Sequence, residues 1–259
     1  MAVWVEIETE KLNIDPSWRA HVSEEKTEGG AAFIVPHSDD AEFIGWGIIQ
    51  EMVKADIPVT VILLTMGEKG KPPDSIKTEE QVIEERKSEA ESSANALGMH
   101  VIYVNSPAPD GDVEGYEEDL KHQVMDITRL KKFDVIFSWD EYDRTRGLNH
   151  PDHNASGRIA KSISFAARTR GSKYDTPGIE PLSYRPRLFA WTSDRTAAPE
   201  PIYIFQFNET AMAAREDHFD KYYPTQMPKS KIETEYRPLF QRANKGIASQ
   251  YEQKYVELR

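Results

Sequence analysis

Four predominantly apolar runs of strand length, at 31–36, 59–65, 101–104 and 134–139, recur along the chain, each separated from the next by a segment of helical length. The first is apolar at every position and reads as a strand buried on both faces, as in a parallel sheet, and the second reads as another buried strand. After the first run, Asp39 or Asp40 can cap a helix. Ile44, Ile48 and Met52 then recur at helical spacing, with Ile49 and Val53 beside them, until Ile57-Pro58 stops the pattern. Residues 79–97 form a long charged helix closed by Gly98 in a C-cap position, and 118–132 form another. Strand alternating with helix predicts an α/β fold, a mostly parallel sheet with crossover helices.

The remainder is less regular. Strands are expected at 188–192 and 202–207, helices at 209–221 and 233–255, and loops at 66–74, 107–115, 171–186 and 224–228. With no repeat and no linker, 1–259 reads as one domain. Residues 1–30 form an N-terminal extension that ends at Gly29-Gly30.

A net charge of −12 argues against phosphate-backbone binding, so no nucleic-acid partner is expected. No apolar stretch approaches the ~18 residues of a membrane span. The opening residues lack a basic head and a long apolar run, so no signal peptide is expected. The absence of cysteine fits a cytoplasmic location and excludes a zinc site built on thiolates.

Two polar motifs carry the chemistry. His37-Ser38-Asp39-Asp40 follows the first strand, and Asn149-His150-Pro151-Asp152-His153 lies beyond the fourth. In open α/β sheets, ligands bind outside the carboxyl ends of strands, which brings both motifs to one edge. His37, Asp40 and His153 offer the nitrogen and oxygen ligands of a catalytic zinc site whose fourth position is left for water. Asp39 is then the general base. His150, as an imidazolium oriented by Asp152, would stabilise an oxyanion. Taken singly, Asp39-Asp40 also fits a helix cap and residues 149–152 also fit a turn.

With these motifs the chain resembles the zinc-dependent N-acetylglucosaminyl deacetylases, the GlcNAc-phosphatidylinositol deacetylase-like or LmbE-like family. Their His-Pro-Asp-Asp motif followed by Glu is matched by His37-Ser38-Asp39-Asp40-Ala41-Glu42, and their His-Pro-Asp-His by His150 to His153 without change. Thr65 to Gly70 resembles the family's Gly-rich segment. Arg86, Glu89 and Leu97-Gly98 fit its Arg-x-x-Glu helix, and Pro109-Asp110-Gly111 resembles a loop near the site. The match is best over 31–160 and continues weakly through Ala243, Gly246 and Tyr255. Departures are Pro36 for a small residue, Ser38 for proline, and Leu148 where some members place a tyrosine.

The resemblance implies a Rossmann-like three-layer sandwich with the metal site at the C-terminal ends of the strands. It implies His37, Asp40 and His153 as metal ligands, Asp39 as base, and His150 with Asp152 as the electrostatic pair. It also implies Arg86 reaching substrate hydroxyls, although a surface Arg–Glu pair on a helix is the plainer reading. The expected cofactor is Zn2+, with iron(II), cobalt or nickel as alternatives, and the resemblance implies a trimer or hexamer. The expected function is release of acetate from an N-acetylated amino sugar or its conjugate. An amidase for a larger acyl group or thiol conjugate, and a non-catalytic carbohydrate-binding relative, are the rivals. Trp46, Tyr142 and Trp191 could stack on a sugar face, with core packing the competing role. His218 is read as structural, and His21, His100 and His122 are assigned nothing.

Overall fold

The computed structural model of the chain describes residues 29–71, 75–142, 150–191, 202–227 and 250–258, with positions 231, 234 and 237. Its elements run β1 (Ala31–Val35), α1 (Asp40–Lys54), β2 (Val59–Thr65), α2 (Glu79–Leu97), β3 (His100–Ala108), α3 (Glu117–Lys131), β4 (Val135–Trp139), α4 (Pro151–Ala166), β5 (Arg187–Trp191), β6 (Ile202–Asn208), α5 (Glu209–Tyr222) and β7 (Gln250–Leu258). Along β1 the side chains alternate between two cores. Ala31, Phe33 and Val35 face one, Ala32 and Ile34 the other, and β2 and β4 divide in the same way. Ile44, Ile48, Ala90, Ala94, Met212 and Phe219 of α1, α2 and α5 close the first core. Leu120, Val124, Ile159 and Ile163 of α3 and α4 close the second. Strands covered by helices on both faces have no solvated side, which is why these runs are predominantly apolar, with only Thr60, Thr65 and Ser138 as buried polar residues among β1, β2 and β4.

The sheet order is β3-β2-β1-β4-β5-β7-β6. Neighbours from β3 to β5 are parallel, and β7 pairs antiparallel with both β5 and β6. The expected three-layer, mostly parallel architecture is therefore the observed one. From β1 the chain steps outward to β2 and β3, then crosses back to β4 and β5. The order reverses between β1 and β4, and that reversal opens a crevice at their carboxyl ends. α1 lies close over β1 because Gly45 has no side chain: a Cβ there would sit 2.4 Å from the Phe33 ring.

Three elements differ from expectation. β3 runs five residues longer than the apolar core of its run, from His100 to Ala108. α4 grows directly out of the second polar motif, where no helix was predicted. The helix predicted over 233–255 is contradicted at its end, since Gln250–Leu258 is strand β7; most of 233–249 lies outside the described residues. Glu252, Gln253 and Lys254 carry helix propensity, but pairing with Gln206, Phe205 and Ile204 of β6, in a strand whose later residues also pair with β5, outweighs it.

Candidate metal centre

β1 ends at Val35, and the turn from Pro36 to Asp39 leads into α1. Within it the His37 backbone N–H donates to Asp40 Oδ2 at 2.8 Å, and His37 Nδ1 lies 3.1 Å from the same oxygen. Asp39 occupies the N-cap position of α1 yet makes no side-chain capping bond, so capping does not account for it. Across the crevice, His150 caps α4 by accepting the Asp152 N–H on Nδ1 at 3.2 Å, with Pro151 in the first turn. His153 lies flat on Trp139, ring centroids 3.8 Å apart and planes 4° from parallel. One turn on, Gly157 permits that approach, for a Cβ there would sit 2.6 Å from the Trp139 carbonyl oxygen.

The structure thus brings His37, Asp40 and His153 together, with His153 Nε2 3.2 Å from Asp40 Oδ1 and one ligand atom of each within 4.8 Å of the others. Donors about 2.1 Å from one tetrahedral ion lie about 3.4 Å apart, so spacings of this size suit a single divalent cation. His37 also has the outer partners that such ligands use. Its Nε2 lies 3.3 Å from Asp110 Oδ1 and 3.6 Å from Asp152 Oδ2. Asp110 is itself held by the Lys69 N–H at 3.2 Å, and Asp152 accepts the N–H groups of Gly111 and Val113 at 2.7 and 3.1 Å. Asp152 sits farther from His150, at 3.9 Å, than from His37. Sequence reasoning placed the loop of Asp110 near the site but gave Asp110 no task. Its Pro-Asp-Gly turn was the available signal.

Burial lowers the His37 pKa, but the Asp40 charge and hydrogen bonds to Asp110, Asp152 and Asp40 outweigh it and leave it well above its ordinary value. Burial would raise Asp40, yet the His153 and His37 charges hold it far below the carboxylate range. Asp39 is pushed up to about 6 by burial and by the neighbouring Asp40 charge. His150 is lowered by burial and then by the charges of His37 and His153. With Nδ1 accepting a backbone N–H, the neutral form of the ring has its proton on Nε2.

Behind the turn sits a second polar cluster that sequence reasoning missed. Glu42 Oε1 accepts from Ser93 Oγ and, at 2.8 Å, from the Tyr223 hydroxyl; Ser93 in turn accepts from His218 Nε2 at 2.8 Å. Burial pushes Glu42 up to about 7 and His218 down to about 4. Arg86 is 3% exposed rather than on the surface, and donates to Glu89, Thr225 and the Gly70 carbonyl. Trp46 and Trp191 are core residues, whereas Tyr142 is exposed. Leu148 lies outside the described residues.

The family model for PIG-L, GlcNAc-PI de-N-acetylase, matches residues 32–164. No curated protein matches the chain in sequence. Among solved structures it is similar to the N,N'-diacetylchitobiose deacetylase of Pyrococcus horikoshii, at 18% identity over 98% of this chain and 94% of that one, TM-score 0.72. A conserved protein of Thermus thermophilus is 22% identical over 88% and 93%, TM-score 0.60. The 4-carboxy-2-hydroxymuconate hydratase of Pseudomonas putida is 17% identical over 88% and 95%, TM-score 0.57. At such identities these likenesses establish the fold.

Proposed function

This chain belongs to the PIG-L family of GlcNAc-PI de-N-acetylases, and on that premise we propose that it hydrolyses the N-acetyl group of an N-acetylglucosamine-type amino sugar or conjugate, using zinc held by His37, Asp40 and His153. The observation that carries this reading is the convergence of those three ligands with Asp39 beside them at the β1–β4 crevice. Fold alone does not select the chemistry, since a hydratase shares it. The family match and the side chains at the crevice do.

A divalent ion supplies polarisation of the amide carbonyl and a lowered pKa for water. The protein does the rest. Asp39 takes a proton from the attacking water on a carboxylate oxygen and passes it to the leaving nitrogen, and burial and the Asp40 charge strengthen its hold on that proton. His150 presents its Nε2–H to the substrate oxygen that gains charge. Asp110 and Asp152 orient the His37 ring through Nε2. The substrate-binding role of Arg86 rests on the family resemblance alone, since the side chain is 3% exposed. Its Nη atoms are fixed by protein partners while its buried Nε has none among the described residues.

The test is metal content together with acid release from N-acetylglucosamine and its conjugates. Near-stoichiometric zinc that is lost in His153→Ala, with acetate as product, is expected. A larger acid in place of acetate would favour the amidase reading. No metal uptake under any loading condition would sink the proposal.

A further inference from the structure

Ser38 lies between His37 and Asp39, where the family that the chain resembles carries proline. Serine leaves this turn with backbone freedom that a proline ring would remove. The fold restrains it from elsewhere. The Tyr223 hydroxyl lies 2.8 Å from the Ser38 carbonyl oxygen. Gln226 Nε2 donates to Ser38 Oγ at 3.0 Å and to Glu89 Oε2 at 2.7 Å. Glu89 is itself held by Arg86 Nη1 at 2.7 Å and by Thr225 Oγ1 at 2.9 Å, and Arg86 Nη2 donates to the Gly70 carbonyl at 2.5 Å. The loop after β2, the middle of α2 and the turn after α5 are thereby joined to the turn that carries the site.

We propose that Gln226 is a positioning residue, whose amide bridges Glu89 to Ser38 and so sets the placement of His37 and Asp39 on either side. The proposal rests on reading the site as a metal-dependent hydrolase. Gln226 is well suited to this role because its side chain is not needed for its own turn. That turn is closed by backbone bonds from the Gln226 and Met227 N–H groups to the Tyr223 carbonyl, at 3.1 and 2.8 Å. Without the amide, Glu89 keeps Arg86 and Thr225, whereas the Ser38 side chain loses the partner that links it to α2.

The experiment compares Gln226→Ala, Ser38→Ala and the double variant with the full wild-type chain. Zinc affinity is read by chelator competition, and kcat and KM by acetate release. A shift of the turn that carries His37 and Asp39 predicts about tenfold weaker zinc binding and about tenfold lower kcat, at unchanged KM and melting temperature. Because both residues act through the same side-chain contact, the double variant should lose no more than either single one. Wild-type zinc affinity and kcat in Gln226→Ala, a fall in melting temperature with no change in zinc affinity, or additive losses in the double variant would each overturn the proposal and leave the hydrolase reading intact. A wild-type chain that takes up no zinc would overturn both.

Discussion

Asp40, Asp110 and Asp152 face the imidazole rings of the crevice, whereas Glu42, two residues along α1 from Asp40, faces the hydroxyls of Ser93 and Tyr223. Burial barely separates them: Asp40 is 5% exposed and Glu42 1%. Their titration nevertheless diverges. Asp40, Asp110 and Asp152 are held below the ordinary carboxylate range, while Glu42 is pushed up to about 7. The partners decide the direction, because desolvation acts the same way on all four; at Asp110 and Asp152 hydrogen bonds from His37 and from backbone N–H groups add to the imidazole charge. An imidazole that can become positive offsets that cost, and a neutral hydroxyl offsets only part of it. Asp39 lies between the two groups and is raised to about 6, since the like charge of Asp40 adds to burial and outweighs His37 and Arg86.

Asp39→Asn tests the dividing residue and should have the largest effect. A lost general base costs about 10³-fold in turnover while zinc content stays as in wild type. A variant that keeps its rate would remove Asp39 from the mechanism. Wild type should show a matching loss as pH falls through the Asp39 value, about 6 without a cation and lower once one is bound.

Glu42→Gln tests the hydroxyl-facing side. Glu42 binds its proton more tightly folded than unfolded, so its contribution is present at low pH and is lost as pH rises through about 7. At about 1.4 kcal/mol per pKa unit, the metal-free variant should gain roughly 2–3 kcal/mol on wild type between about pH 5 and about pH 8. Denaturant midpoints at the two pH values measure this, and parallel curves would show that Glu42 stays charged.

Asp110→Asn sharpens the imidazole-facing side with the smallest effect. It keeps an acceptor for His37 Nε2 but removes the charge, so zinc should bind about ten- to a hundredfold more weakly. Equal affinity in the two proteins would assign the orientation of His37 to Asp152 alone.

Much of the fold could be read from the residues themselves. The runs at 31–36 and 59–65 announced β1 and β2, and Ile44, Ile48 and Met52 announced α1. Gly98 marked the end of α2, where it adopts a left-handed φ of 74°. His37, Asp40 and His153 were legible because each sits in a short motif at the end of a strand. α4 was less so, since its first residues are the site motif and its buried face begins only at Asp152 and Ala155. The outer partners were not legible. His37 meets Asp110 across 73 residues, Ser38 meets Gln226 across 188, and Ser93 meets His218 across 125. His218 read as a lone structural histidine, and its partner Ser93 lies on a different helix.

The sequence alone determined which segments must be buried on both faces and which side chains could ligate a metal, because strand periodicity and short motifs are local properties. Tertiary structure decided everything that depends on two distant segments meeting. It made a charged C-terminal segment into β7, where backbone groups found partners on both flanks. It also set which carboxylates face imidazoles and which face hydroxyls, and tied Ser38 to Gln226 and Glu89. These outcomes follow from long-range packing and the local dielectric it creates, neither of which a local pattern of residues encodes.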